Sequence, residues 1–233
     1  MLRISCFEFL NMLYLVATPI GNLEDISLRA LRILKEVDLV LCEDTRKTGF
    51  LLGHFGIKKP LVSFFEHSEV KKLPGVIAEL KKGKNIALVS SAGTPTISDP
   101  GYKLVRECRK EKISITSIPG ASSVINALAQ TSLPHDKFIF LGYLPRKPGE
   151  RKKIFERIKS LESAVVFFES PFRILASLNS IKEVLGNCRL SIAREMTKKF
   201  EEVLELNVQE AIEHFEKIKP KGEFTVIISN REQ

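Results

Sequence analysis

Short apolar runs alternate along this chain with turn residues and with stretches whose apolar positions recur at helical spacing. The runs are typical of buried strands, and the stretches predict helices that lay one side on a sheet. Leu28, Leu31 and Leu34 form such an apolar side, and Asp25 can cap their helix. In the first half, the predicted strands are residues 13–17, 37–42, 61–65, 85–89 and 113–118. The other predicted helices there are residues 47–55, 73–82, one from Tyr102, and 121–129.

Strict alternation of strands and helices predicts a mostly parallel sheet covered on both faces, with ligands bound beyond the carboxyl ends of the strands. The second half differs, because two of its predicted strands follow each other closely, as expected for partly antiparallel pairing. Its predicted strands are residues 138–142, 164–168, 190–194, 200–206 and 224–229. A basic loop and a helix are predicted over residues 145–160, and further helices from Pro171 and over residues 208–218. The sequence therefore predicts an α/β protein with a second, mixed α/β domain.

Composition supports a folded, cytoplasmic protein: 44% of the 233 residues are hydrophobic and 27% are charged. No apolar run approaches the ~20 residues that span a bilayer. Residues 1–10 are too short for a signal peptide and are interrupted by Arg3 and Glu8. The four cysteines form no Cys-x-x-Cys pair and the four histidines no His-x-x-x-His spacing, so we predict no metal site.

The net charge is +8 and the pI is near 9.3, which favours an anionic partner. Nucleic acid is the commonest such partner, but a small molecule with several carboxylates would also be attracted. Basic clusters such as Arg146-Lys147 and Arg151-Lys152-Lys153 could contact phosphates. A solvated surface is the alternative interpretation of each cluster.

Three turn clusters follow predicted strands: residues 18–22, residues 90–101 and Pro119-Gly120. Neither a Gly-x-Gly-x-x-Gly after the first strand nor a P-loop motif is present, which disfavours NAD enzymes and P-loop NTPases. Gly93-Thr94-Pro95 places a backbone without side-chain bulk beside a rigid turn, so a ligand can approach main-chain groups closely. A plain surface turn is the alternative for one such loop. Three of them at strand ends predict a site.

Several motifs in order resemble the tetrapyrrole-methylase superfamily, in particular its ribosomal RNA small subunit methyltransferase I branch. The resemblance extends from Met12 to the end of the last strand. It is carried by Leu15-Val16-Ala17-Thr18-Pro19-Ile20-Gly21-Asn22-Leu23, Glu43-Asp44-Thr45-Arg46, Ala92-Gly93-Thr94-Pro95, Asp99-Pro100-Gly101, Leu133-Pro134, Phe168-Glu169-Ser170, Ala193-Arg194-Glu195 and Lys221-Gly222-Glu223. Two positions depart from the branch: Ser91 stands where Asp is usual, and the first 11 residues have no counterpart, so translation could start at Met12.

The resemblance implies two α/β domains, residues 1–118 and 119–233, with S-adenosylmethionine bound in the cleft between them. It also implies a homodimer. The resemblance also implies that the cofactor-contacting positions of the superfamily correspond to ten residues of this chain, in both domains. These are Ile20, Gly93, Thr94, Pro95, Ile97, Ser123, Val124, Phe168, Ala193 and Glu223.

The branch methylates the ribose 2′-hydroxyl of a decoding-centre cytidine in 16S ribosomal RNA, within the small ribosomal subunit. A hydroxyl needs placement against the methyl group and an acceptor for its proton. We predict that Glu43 or Asp44 accepts the proton and that Arg46 holds a phosphate. Glu195 and Asp99 are rivals as acceptors. A helix cap or a local ion pair is the alternative role for each of these carboxylates.

Two other functions stay open. One is a methyltransferase of the same fold that acts on a corrin or tetrapyrrole precursor, although those enzymes tend to carry Gly-Asp-Pro where this chain has Gly93-Thr94-Pro95. The other is a non-catalytic RNA-binding relative, for which Ser91 is the only hint.

Overall fold

Residues 11–229 are described in the computed structural model, and they fall into two units. The first unit ends at Ser122 and the second begins at Ser123. The boundary implied by the resemblance, after residue 118, lies four residues earlier and stays a prediction. The possible extension before Met12 lies outside the described residues except for Asn11.

The described part of the first unit contains a five-stranded parallel sheet with the order β3-β2-β4-β1-β5. This confirms the predicted parallel α/β architecture. Its elements are β1 (Met12–Val16), α1 (Leu28–Glu36), β2 (Leu39–Cys42), α2 (Thr45–His54), β3 (Leu61–Ser63), α3 (Glu66–Lys81), β4 (Ile86–Val89), α4 (Tyr102–Lys110) and β5 (Ser114–Ile118).

Both faces of this sheet are buried, because alternate residues of each strand enter different apolar clusters. Tyr14 and Val16 of β1 pack in one cluster with Ile33 and Leu34 of α1. Leu13, which directly precedes Tyr14 and so faces the other side of the sheet, packs in the other cluster with residues of α3 and α4. A sheet buried on both sides is rigid, and its carboxyl edge is therefore a stable base for loops.

Two helix starts differ from the prediction. Asp25 does not cap α1: it lies in a short 3₁₀ helix, Leu23–Asp25, and Ser27 caps α1 by accepting from Ala30 N at 3.1 Å. As a result Leu28 is 86% exposed rather than part of the buried stripe. Leu34 is buried and Leu31 packs partly buried against the same cluster, as predicted, and Ala30 and Ile33 complete the stripe.

Helix α3 begins at Glu66, seven residues before the predicted start, and continues through Pro74. The actual start is stabilised by Ser68, whose hydroxyl accepts from Phe65 N at 3.1 Å. The added turns carry Glu69, which is buried and accepts from Lys103 N and Leu104 N at the start of α4.

The described part of the second unit contains a five-stranded sheet with the order β6-β7-β10-β8-β9. Only β6 and β7 pair in parallel; the other neighbours are antiparallel, which confirms the predicted mixed sheet. Its elements are α5 (Ser123–Gln130), β6 (Phe138–Tyr143), α6 (Pro148–Ile158), β7 (Ala164–Glu169), α7 (Ile174–Leu185), β8 (Arg189–Arg194), β9 (Glu202–Asn207), α8 (Val208–Lys217) and β10 (Phe224–Ser229). Over residues 11–229, no helix combines the length and the apolar character needed to cross a bilayer.

Candidate functional site

Three loops of the first unit come together at the carboxyl edge of its sheet. They follow β1, β4 and β5, which are adjacent in the sheet. Thr18 and Gly93 exchange two backbone hydrogen bonds, of 2.9 and 3.0 Å, and the Thr18 hydroxyl donates to Ser90 O at 3.3 Å. Ala17 N reaches Ile118 O at 3.4 Å on the other side. The predicted convergence of the turn clusters at strand ends is confirmed within this unit.

The Gly-Thr-Pro segment lies closely against both neighbouring loops. A side chain at Gly93, whose φ is +84°, would contact Ile20 Cγ2 at 3.5 Å. Thr94 donates from its hydroxyl to Ala121 O at 3.2 Å, and the Ser90 hydroxyl donates to Gly93 O at 3.0 Å. These bonds fix the loop without any bulk at residue 93.

The remainder of this loop holds an unusual backbone conformation. Thr96 and Ser98 have φ values of +73° and +60°, in the left-handed region that L residues rarely adopt. Thr96 is β-branched, so its conformation is strained, and such strain persists only where surrounding contacts enforce it. Strained loops cluster at ligand sites. The loop therefore has the character of a preformed binding element.

A cluster of carboxylate and hydroxyl groups lies at the same edge, beyond β2 and β4. The Ser91 hydroxyl donates to Glu43 Oε2 at 2.6 Å. Burial and, to a smaller extent, the nearby negative charge of Glu43 together raise the pKa of Asp99 to about 6, against a hydrogen bond with Ser90 that lowers it. Asp99 is thus a stronger proton acceptor than an ordinary aspartate and is still mostly ionised at neutral pH.

Asp44 and Arg46 have a different arrangement. Asp44 is the N-cap of α2, and its Oδ1 accepts from Arg46 N at 2.8 Å and Lys47 N at 3.3 Å. Hydrogen bonds from the Arg46 backbone and side chain lower the pKa of Asp44, which makes it a weak proton acceptor. The Arg46 guanidinium is 91% exposed and pairs with Asp44 at 3.4 Å. An exposed, salt-screened pair of this kind is weak, so Arg46 can readily turn to another anion.

The first-unit positions expected to contact cofactor offer apolar surface and backbone groups. Ile20 is partly buried beside Gly93, and Ile97 is 47% exposed on the strained loop. Pro95, two residues before Ile97, is buried. Apolar side chains with a few polar backbone groups are suited to an adenosyl group and a methionine chain. These residues therefore fit S-adenosylmethionine chemically.

In the second unit, Phe168 and Ala193 lie in one row across the sheet. Both are paired with Thr225 of β10, one from β7 and one from β8. Val124 is buried at the start of α5, next to the partly exposed Ser123, so a ligand would meet the Val124 backbone rather than its side chain. The cofactor roles of these residues stay predictions.

Glu195 and Glu223 share one cation. Lys198 Nζ lies 2.8 Å from Glu195 Oε1 and 3.0 Å from Glu223 Oε2, and Glu223 N donates to Glu195 Oε1 at 3.1 Å. Burial raises the pKa of Glu195, but the bonds from Lys198 and Glu223 N more than offset this and leave it below its usual value. This geometry favours a structural role for Glu195 over proton acceptance. Among the residues described, no group of three or more His, Cys, Asp or Glu side chains could hold a metal ion.

The sequence pattern did not single out Thr18 and Ser90, and it named Asp99 only as a rival acceptor. Thr18 and Ser90 are buried polar residues directly after β1 and β4. Polar residues at the carboxyl ends of buried strands were the available signal. The raised pKa of Asp99 comes from burial and from Glu43, 56 positions away in the chain, and no local pattern reveals either of them.

Comparison with known proteins gives concordant matches. A family model described as Tetrapyrrole (Corrin/Porphyrin) Methylases matches residues 12–212. A ribosomal RNA small subunit methyltransferase I of Thermotoga maritima is 50% identical over 220 residues, covering 94% of this chain and 99% of the relative. One of Halalkalibacterium halodurans is 46% identical over 216 residues, covering 93% and 75%.

Solved structures share the fold at much lower identity. A cobalamin biosynthetic enzyme, cobalt precorrin-4 methyltransferase, matches with a TM-score of 0.69 at 14% identity, covering 94% of this chain and 95% of that one. At this identity the likeness concerns the fold alone.

Proposed function

Because the chain belongs to the ribosomal RNA small subunit methyltransferase I family of tetrapyrrole methylases, we propose that it transfers a methyl group from S-adenosylmethionine to small-subunit ribosomal RNA. The acceptor we propose is the ribose 2′-hydroxyl of a decoding-centre cytidine in 16S ribosomal RNA. The observation that carries this proposal is the 50% identity to a relative of that name over 99% of the relative's length. The basic charge of the chain agrees with an RNA substrate.

The cofactor would supply an electrophilic methyl group on a sulfonium. On the protein side, Ile20, Thr94 and Ile97 of the first unit would bind its apolar parts and orient it, with Gly93 and Pro95 keeping the backbone close. Ser123, Val124, Phe168, Ala193 and Glu223 are the proposed contacts from the second unit. The bonded Thr18–Gly93 loop pair would keep the first-unit contacts in place without rearrangement on binding.

For proton removal we favour the cluster of Glu43 and Asp99. A ribose hydroxyl is a poor nucleophile at neutral pH, and a carboxylate with a pKa of about 6 accepts its proton better than an ordinary aspartate. Burial raises the pKa of Asp99 most, and the negative charge of Glu43 adds to this effect. Asp44 is the weaker candidate, since its carboxylate is occupied in capping α2.

Arg46 is the proposed phosphate contact near this cluster. Its guanidinium is 91% exposed and only loosely paired, and a guanidinium binds phosphate oxygens in a bidentate manner. The homodimer and the cytoplasmic location remain proposals that follow from the family. Light scattering of the purified protein would test the first.

One labelling experiment tests the function. The protein is incubated with methyl-labelled S-adenosylmethionine and, separately, with small ribosomal subunits from a strain that lacks the enzyme and with a corrin precursor. We expect label in the RNA alone, located in one dinucleotide that resists alkaline cleavage. Label only in the precursor would overturn the proposal, and label in neither would indicate a non-catalytic relative.

A further inference from the structure

The most exposed large hydrophobic side chain in the described part of the chain is Phe172, which is 93% accessible. It lies in the Phe172 loop, residues 170–173, which connects β7 to α7. Arg173 N and Ile174 N both donate to Ser170 O, at 3.0 and 3.1 Å, and close this loop into a tight turn. Pro171 restricts the backbone directly before the ring. The ring is therefore displayed on a rigid support.

A buried network anchors the Phe172 loop from below. Glu169 is 1% exposed, and its carboxylate accepts from Ser170 N at 2.8 Å, Arg173 Nε at 2.7 Å and the Ser177 hydroxyl at 2.5 Å. Arg173 also donates to Leu144 O at 2.9 Å. This last bond connects the Phe172 loop to the basic loop, residues 144–147, which follows the neighbouring strand β6.

A buried side chain also anchors the basic loop through hydrogen bonds. Arg151, which the sequence pattern grouped with a basic cluster, is 4% exposed rather than part of a phosphate-facing surface. Its guanidinium donates to Pro145 O and Arg146 O at 3.4 Å, and to Ala176 O and the Ser180 hydroxyl of α7. Arg151 N also donates to Lys147 O at 3.1 Å, and both Arg146 and Lys147 are exposed. The Lys147 ammonium lies 3.5 Å from Glu150 Oε1 in an exposed pair, which is weak and leaves Lys147 available to another anion.

We propose that Phe172 is a stacking platform for an unpaired RNA base, and that Arg146 and Lys147 bind the phosphates beside that base. The inference rests on the proposed function and deepens it by assigning an RNA contact surface within the second unit. The adjacent strands β6 and β7 run in parallel, so both loops emerge at one edge of the sheet.

The chemistry of the surface favours single-stranded RNA as the occupant. An isolated exposed hydrophobic residue is ordinary on a protein surface. Here, however, the buried Arg151 and Glu169, together with the partly buried Arg173, fix the backbone of the two loops that carry the exposed ring and two exposed cations. An aromatic ring next to basic groups is the arrangement that recognises unpaired bases, because every base offers a face for stacking. Tyr143, 58% exposed at the end of β6, adds a second ring at this edge.

The test compares binding of the full-length protein to two fluorescent probes, a single-stranded 12-nucleotide RNA and the same sequence in a duplex. We expect Phe172→Ala and Phe172→Leu each to raise the Kd for the single strand about 5- to 100-fold and to leave the duplex Kd almost unchanged. Phe172→Tyr should retain wild-type binding, because its ring still stacks. Arg146→Gln should weaken binding of both probes and flatten the salt dependence, by roughly 0.7 in the log–log slope.

Phe50→Ala is the matched control, because it removes another exposed aromatic ring, 70% accessible, from α2 of the first unit. It should leave the Kd for both probes unchanged. Equal thermal unfolding of all variants would exclude a folding defect as the cause. Wild-type affinity in Phe172→Ala and Phe172→Leu would overturn the platform while leaving the proposed function intact, provided that the wild-type protein labels small subunits. Failure of the wild-type protein to label them would instead refute the proposed function.

Discussion

The Ser91 hydroxyl donates a 2.6 Å hydrogen bond to Oε2 of Glu43. Ser91 closely follows β4, and Glu43 directly follows the neighbouring strand β2. The family branch that the chain resembles usually has Asp where Ser91 stands. A neutral donor therefore replaces a carboxylate in a place where Glu43 already acts on Asp99. The residue at position 91 therefore determines how much negative charge lies near Asp99.

Ser91→Asp should move the acidic limb of the pH–rate profile to higher pH, by about one unit, because a third negative charge makes Asp99 harder to ionise. The measurement is kcat/KM for methyl transfer to small subunits between pH 5 and 9. Ser91→Ala removes the hydroxyl without adding charge and should shift the limb much less. If the acidic limbs of the pH–rate profiles of Ser91→Asp and wild type coincide, ionisation in this cluster does not control the reaction.

Asp99→Asn should make the protein more stable at pH 8 while lowering its rate of methyl transfer. The folded-state pKa of Asp99, about 6, exceeds the ordinary value of 3.8, so its ionisation destabilises the fold. This destabilisation is absent below pH 3.8, grows between pH 3.8 and 6, and is complete above pH 6. A shift of this size corresponds to about 3 kcal/mol at full burial. For a half-buried, solvent-screened group we expect Asp99→Asn to stabilise the protein by about 1 kcal/mol at pH 8.

The same variant should lower the rate of methyl transfer by about 100-fold or more, because the amide cannot accept the proton. Denaturant unfolding at pH 8 and pH 5 measures the stability difference, which should be smaller at pH 5. Asp25→Asn, at an exposed position in the 3₁₀ helix, is the control and should change neither quantity. Full activity in Asp99→Asn would exclude Asp99 as the proton acceptor.

Thr94→Arg should abolish binding of S-adenosylmethionine without unfolding the protein. Thr94 lies on the fixed loop, donates to Ala121 O and is partly exposed, so a long charged side chain would project from the loop into the proposed site. Isothermal titration with the cofactor provides the measurement. Thr94→Val, which loses only the 3.2 Å hydrogen bond, should bind with modestly reduced affinity. Unchanged affinity in Thr94→Arg would mean that the cofactor binds elsewhere.

Gly120→Ala should destabilise the first unit by about 1–3 kcal/mol and weaken cofactor binding. The added Cβ would lie 2.8 Å from Ala17 Cβ, so the loops after β1 and β5 would have to separate. Gly53→Ala is the matched control, since a Cβ there meets nothing within 4 Å and the site lies in α2. It should stabilise the protein by about 0.5–1 kcal/mol. Equal unfolding midpoints for the two variants would contradict this account.

The sequence predicted the alternating architecture because each strand is a distinct apolar run bounded by turn residues. It failed at two helix starts, where polar side chains rather than the apolar pattern set the first residue of the helix. Helix α3 begins early because Ser68 and Glu69 bond to groups outside the local apolar pattern, and Leu28 is exposed because Ser27 rather than Asp25 caps α1.

The candidate site, too, could be predicted from the sequence only in part. The turn residues of Gly93-Thr94-Pro95 and their position after a strand were readable in the sequence. The state of Asp99 was not, since it depends on burial and on a charge contributed by another strand end. The cap formed by Asp44 was foreseen only as an alternative role.

The bonds from Glu69 to the start of α4 link two positions that lie far apart in the sequence. Helix α4 starts after Gly101, which has no side chain to cap it, and a Cβ at residue 101 would overlap Leu88 Cδ2. Glu69, 34 and 35 positions earlier than the amides of Lys103 and Leu104, supplies the missing acceptor. The glycine and the glutamate are therefore expected to covary in relatives, so that loss of the acidic side chain on α3 accompanies a different residue at the start of α4.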